Sequence, residues 1–174
     1  MFDFLFDKNL KAVRALNKEA ARQHSMGADT YAKVMAMCEG HTGMFYQSER
    51  QAAYALHVPW LVRQGKPPVM EFPSAIHALP GEQMRGKLGA TPAGEDLVGS
   101  VYVSDRRVIL LRADGLGYAW GSEDILRVVL DRYGEVRLFD THGGCTVFAL
   151  FMPEYRFAFS ALVGLMMSEE VSCE

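Results

Sequence analysis

The sequence predicts an α+β fold in which N-terminal helices precede a run of short antiparallel strands and a closing helix. Three observations predict it. Apolar residues recur at helical spacing through the first third of the 174-residue chain. Five of the seven prolines then lie between Pro59 and Pro80. Beyond Pro80, short β-branched and aromatic runs alternate with turn residues, the spacing of a small sandwich or barrel.

Residues 4–24 carry the first helical period. Phe6, Leu10, Val13, Leu16 and Ala20 form one stripe, with Lys8, Lys11, Arg14, Lys18 and Arg22 opposite. Ser25-Met26-Gly27 stops it. Asp29 is expected to cap a second helix through Tyr31, Val34, Met35 and Cys38, closed by Gly40. A third helix is expected from Met44 to His57, ending before Pro59, because a residue preceding proline avoids the helical region. These observations divide the chain into a helical region (1–58), a proline-rich connector (59–79), a β domain (80–168) and a tail (169–174).

In the β domain, Glu82 to Leu88 reads as a weak first strand and residues 89–96 as a loop. Val98 to Val103 and Arg107 to Arg112 form a hairpin about Ser104-Asp105-Arg106, where Ser and Asp bond their own backbone. Leu116 to Trp120, Ile125 to Arg132, Glu135 to Asp140 and Thr146 to Phe151 follow, separated by Asp- and Gly-rich turns. The last helix starts at Pro153. Tyr155, Phe159, Leu162, Val163 and Met166 make one apolar face, and Phe157, Ala161 and Leu165 a second. A helix apolar on both sides needs two neighbours: the sheet, and either the N-terminal helices or another subunit.

With 49% hydrophobic and 22% charged residues, the composition is that of a globular protein with a real core. A net charge of -3 argues against a nucleic-acid partner. Cys38, Cys145 and Cys173 suggest no disulfide framework, the acidic N-terminus is not that of a signal peptide, and no run is long enough to span a bilayer. A cytoplasmic location is expected.

The order Pro80-Gly81-Glu82, then Tyr102-Val103-Ser104-Asp105-Arg106-Arg107-Val108-Ile109, then Trp120-Gly121-Ser122-Glu123-Asp124-Ile125, then a Phe-rich strand and helix, resembles the pleckstrin-homology-like superfold. It is most similar to the bacterial PH-like and GRAM-type domains, with Ser104 in place of Thr in a T-D-x-R turn. The resemblance covers residues 80–167. It implies a partly open seven-stranded antiparallel β-barrel capped by a C-terminal helix, acting as a binding or scaffolding module without catalysis. Some relatives bind phosphoinositides through basic residues near the first two strands. Here Arg85 and Lys87 are balanced by Glu95 and Asp96, so lipid specificity does not transfer.

Other charged features have ordinary explanations. Arg106 and Arg107 are expected to pair with Asp105 and neighbouring carboxylates at the turn. Arg127, Arg132 and Arg137, interspersed with Asp131, Glu135 and Asp140, form a mixed-charge face. Cys38 and His41 would need a base within reach and an orienting third group to make an enzyme, and their setting is a helix end and turn. Cys38, His41 and His57 match no recurrent zinc spacing. The glycine pairs are turns, not phosphate cradles.

The expected function is therefore non-enzymatic binding, with a protein partner or a second copy. No cofactor or metal is expected. Phe157, Ala161 and Leu165 are candidate subunit or interdomain contacts. The alternative is an anionic membrane surface met by Phe2, Phe4, Phe6, Lys11, Arg14 and Lys18, where each cation near the surface contributes roughly 1 kcal/mol.

Overall fold

The computed structural model describes residues 7–94 and 98–169. Three helices come first: α1 (Lys8–Arg22), α2 (Ala28–Cys38) and α3 (Met44–Arg63). Asp7 begins α1, its carboxylate accepting the N–H groups of Asn9 and Leu10 and the hydroxyl of Tyr46. Burial pushes the Tyr46 hydroxyl up to about 12, and the bond to Asp7 adds to the effect. Leu10, Val13 and Ala20 are buried and the cations of α1 exposed, as the stripe requires. The face also buries Asn17, whose amide donates to Glu49. Gly27, not Asp29, occupies the cap of α2; Asp29 lies in the first turn, where its charge suits the helix N-terminus.

α3 overturns the expectation that Pro59 ends it. The helix runs on to Arg63 with Pro59 inside. An interior proline costs about 3 kcal/mol through a lost bond and a clash. Burial outweighs this, because Ala55, Leu56, Val58 and Pro59 are enclosed and Val62 packs on the core beyond. The true stop is Gly65, at φ +67°, with Gly65 N–H bonded to Val62 O and Lys66 N–H to Leu61 O. That is a Schellman closure, which needs the left-handed conformation glycine adopts freely.

The β region forms one seven-stranded antiparallel sheet: β1 (Met84–Pro92), β2 (Gly99–Ser104), β3 (Arg107–Arg112), β4 (Gly117–Gly121), β5 (Ile125–Leu130), β6 (Glu135–Asp140) and β7 (Cys145–Leu150). The order is β4-β3-β2-β1-β7-β6-β5, so β1 bridges both halves and β4 and β5 remain as edges. With the closing helix α4 (Tyr155–Glu169), this is the α+β architecture the resemblance implied. β1 continues through residues expected to be a loop. Ala90, Thr91 and Pro92 pair with Leu150, Ala149 and Phe148, and the proline sits at the strand end, where its missing N–H is tolerated. Pro153 precedes α4 by two residues instead of starting it.

The main core joins both regions. Leu88, Val101, Val103, Leu110, Trp120, Val136, Leu138 and Phe148 of the sheet meet Phe159, Leu162 and Met166 of α4 and Ala55 and Val58 of α3. α4 therefore lies between the sheet and the chain's own α3. A second cluster holds α1–α3 together. The extended segment 66–79 lies against the outer face of β1–β3, where Phe72 and Ile76 pack on Met84, Tyr102 and Ile109. Met70 N–H bonds to Met84 O there.

Candidate functional site

The helices, β1 and α4 converge on a cleft of about 280 Å³. α2 contributes Tyr31 and Met35, one turn apart on a single face, and α3 contributes Arg50, Gln51 and Tyr54 at equivalent spacing. β1 brings Lys87 and Leu88, and the first turn of α4 brings Tyr155. Tyr54 and Tyr155 pack against the main core, and Tyr31 stacks on His57 at 4.3 Å between ring centroids, so the rings are held from behind. Burial raises the hydroxyls of Tyr31, Tyr54 and Tyr155 above the ordinary tyrosine value, so they stay protonated at neutral pH. The Tyr155 hydroxyl donates to Gln51 Oε1 at 3.2 Å. Arg50 Nη1 donates to the carbonyls of Cys38 and His41 at 3.2 and 3.1 Å, which fixes its position against the end of α2. Among the described residues, no carboxylate lines the cleft.

His57 supports this wall, stacked on Tyr31 and on Trp60. Its Nδ1 lies 2.8 Å from Met26 O, and since a carbonyl only accepts, Nδ1 carries the proton. Met26 N–H in turn donates to Leu56 O. Cys38 is buried and burial raises its thiol, while His41 is exposed and stacks on Tyr46 at 4.1 Å. The thiol is thus disfavoured as a thiolate, and the imidazole is committed to another ring. Among the described residues, no group of three or more His, Cys, Asp or Glu is placed to hold a metal ion.

A buried polar cluster organises the opposite end of the β2–β3 hairpin. Glu82 Oε1 accepts from Ser104 Oγ at 2.6 Å and Arg107 Nε at 2.9 Å, and Oε2 from Arg107 Nη2 at 3.0 Å and Leu79 N–H at 2.7 Å. Ser104 Oγ also accepts the N–H groups of Arg106 and Arg107. Burial alone would raise the Glu82 carboxyl, but the bonds from Arg107, Leu79 and Ser104 and the charge of Arg107 hold it below the ordinary value. The expected pairing of Arg107 with Asp105 is corrected: its partner is Glu82, and Asp105 instead accepts the N–H of Gln83. Sequence reasoning missed Glu82 because its partners lie 22 and 25 positions away.

The remaining expected site residues are dispersed. Phe2, Phe4, Phe6, Glu95 and Asp96 lie outside the described residues. Arg14 is engaged by Glu49 at 2.8 Å and lies over the Phe45 ring, while Lys11 and Lys18 are exposed on α1. Phe157 packs on the helical cluster and stacks on His24, and Ala161 and Leu165 are half-buried. Arg85 and Lys87 sit within β1, not in the β1–β2 loop; Arg85 is half-buried, and Lys87 borders the cleft with its ammonium over the Tyr102 ring on the outer face of the sheet. On the other sheet half, Arg127 stacks on Phe139, Arg132 on Tyr133, and Arg137 pairs with Glu135. No helix among the described residues is long and apolar enough to cross a membrane.

No protein-family model matches the chain, and no curated protein matches it. Among solved structures it is similar to the C-terminal domain of an unknown protein from Leishmania infantum. That match has 8% identity and a TM-score of 0.44, over 51% of this chain and 87% of that one. It is also similar to the linker-DH/PH domains of p115-RhoGEF, at 10% identity and a TM-score of 0.43, over 80% of this chain and about half (52%) of that one.

Proposed function

We propose that the protein is a non-enzymatic binding module that recognises a protein partner, and that the cleft between α2, α3, β1 and α4 seats part of that partner. The observation that supports it is the gathering of Tyr31, Tyr54, Tyr155 and Arg50 around one groove. Tyrosine and arginine carry a disproportionate share of the energy at protein interfaces, because they combine large rigid contact area with a polar tip. The rings here are braced from behind, so little conformational freedom is lost on binding. Self-association, the other form of this reading, draws less support, since Phe157 of the second apolar face of α4 packs on the helical cluster of the same chain.

A photo-cross-linking benzophenone side chain at Met35 tests the reading in extracts of the source organism. A discrete adduct is expected from Met35, lost when Gln51→Trp fills the cleft. Adducts identical to those from exposed Ala36, or none, would remove the proposal.

Peripheral attachment to an anionic membrane is the second reading, favoured by Lys8, Lys11, Lys18 and Arg22 on the exposed side of α1. The engagement of Arg14 by Glu49 weakens that face. Sedimentation with phosphatidylserine vesicles is the measurement. If Lys11→Glu and Lys18→Glu together leave binding unchanged, the electrostatic version fails.

A further inference from the structure

The two edges of the sheet are not alike. β5 carries a register shift between Ile125 and Arg127 and a cation at Arg127, both of which keep a foreign strand away. β4 has neither. Its five residues, Gly117-Tyr118-Ala119-Trp120-Gly121, include no charge and no proline, and they pair with β3 in unbroken register. Gly117, Tyr118 and Ala119 are all exposed.

The open groups of this edge follow from the ladder. Arg112 N–H donates to Leu116 O and Ser122 N–H to Arg106 O, at either end of the β3–β4 pairing. Bonded pairs alternate along antiparallel strands, so Tyr118 and Trp120 turn their backbone groups to β3. Gly117 and Ala119 turn theirs to the free side. The row stops there, because Gly121 N–H is taken by Asp124 Oδ2 at 3.2 Å and Gly115 N–H by Arg112 O at 3.0 Å. Two open donors and their carbonyls thus flank Tyr118 symmetrically. Tyr118 is 53% exposed and stacks on Trp120 at 6.0 Å between ring centroids, and Leu116, two residues before it, is 62% exposed.

We infer that β4 pairs with β4 of a second copy of this chain, antiparallel about a two-fold axis at Tyr118. In that register Gly117 of each copy exchanges both backbone bonds with Ala119 of the other, and every open group is used. A two-fold contact must complement itself, and this strand does. The Tyr118 side chains meet across the axis as a non-hydrogen-bonded pair, where side chains approach most closely. Leu116 of each copy lies opposite Trp120 of the other, so the rings run Trp120, Tyr118, Tyr118, Trp120 across the axis. On the opposite face the paired residues are only Gly117 and Ala119, and a cleft of about 280 Å³ lies between them and residues 75–77. A second copy therefore supplies, in one register, both the backbone groups and the apolar cover that Leu116 and Tyr118 lack. The contact touches neither the cleft lined by Tyr31, Tyr54 and Tyr155 nor the face of α4 that packs within the chain. Two five-residue edges bury far less than the roughly 1,600 Å² of a standard interface, so the dimer is weak and fills at high concentration.

Sedimentation equilibrium of the full chain, from about 10 to about 500 µM, tests this. A reversible monomer–dimer equilibrium is expected, with a dissociation constant on the order of 100 µM. Ala119→Pro removes one intermolecular donor from each copy and should weaken the dimer about tenfold or more. The N–H it removes faces away from β3, so the thermal midpoint should move little. Tyr118→Glu sets like charges on the axis at an exposed position and should abolish the dimer. Register is read by diamide oxidation in a chain carrying Cys145→Ser and Cys173→Ser. Tyr118→Cys should then cross-link quickly and Ala119→Cys slowly, because position 118 meets its own counterpart and position 119 does not. A monomer throughout the concentration range, a dimer indifferent to Ala119→Pro and Tyr118→Glu, or equal cross-linking at the two positions overturns the inference. So does a dimer lost on Leu165→Lys and kept in Ala119→Pro, which would place the contact on α4.

Discussion

The Glu82 carboxylate accepts from four donors and so titrates against folding. Its folded value lies below the ordinary 4.5, so as acid is added the unfolded chain takes up the proton first. The stability it contributes is present above about pH 4.5 and is lost as pH falls through the lowered folded value. Urea midpoints between about pH 6 and pH 3 should fall steadily in the native chain. Glu82→Gln should cost roughly 3 kcal/mol at neutral pH, because it leaves the Arg107 guanidinium without its counter-charge, and should flatten that fall. Asp7 and Asp131, both lowered by hydrogen bonds, retain a residual slope. An undiminished slope in Glu82→Gln would contradict this assignment. The turn Ser104-Asp105-Arg106 is legible in the sequence because its bonds are local. The partner of Arg107 is not, since nothing in the sequence near the hairpin distinguishes Asp105 from an acid in the segment before β1. The cleft residues are hidden for the same reason. Arg50, Leu88 and Tyr155 meet only through the packing of three elements.

At the scale of elements, strand and helix identity follow from pattern, while ends follow from what packs on them. β3 and β6 match their expected spans because a turn residue bounds each side. β1 and α3 run past their expected ends because tertiary burial overrides Gly89 in one and Pro59 in the other. Gly86 sets how closely α4 approaches β1. A Cβ there would lie 2.4 Å from Cδ1 of Leu162, which is itself only 1% exposed. Gly86→Ala is therefore expected to cost about 1–3 kcal/mol by overpacking. Leu162→Ala alone should cost about 2–5 kcal/mol through the cavity it leaves. The double variant should lose less than the sum, since each change relieves the other. Strict additivity in chemical denaturation would show that β1 and α4 do not press together at Gly86.

The whole molecule shares one core across the boundary that composition suggests. α3 sends Ala55 and Val58 inward beside residues of the sheet and α4, so neither half keeps its interior dry alone. Trp60 on α3 and Trp120 on β4 report on the two halves. Fluorescence of Trp60→Phe and Trp120→Phe variants should give transitions that coincide with the far-ultraviolet signal of each variant. A separated transition for Trp60 would mean that the helices melt independently. The overall class was legible because periodicity changes once along the chain. The joint core was not, because a proline-rich segment reads as a spacer whether it hangs free or is packed down.

That segment carries a practical consequence. Residues 66–79 shield Met84, Tyr102 and Ile109 from water, and α3 covers the side of α4 turned away from the sheet. A fragment cut at Pro80, where the composition invites a cut, would be wetted on the outer face of β1–β3 and on the side of α4 that α3 covers. It should bind a dye such as ANS, broaden its melting and tend to precipitate, whereas the full chain should not. The stretch that punctuates the sequence is a poor place for scissors.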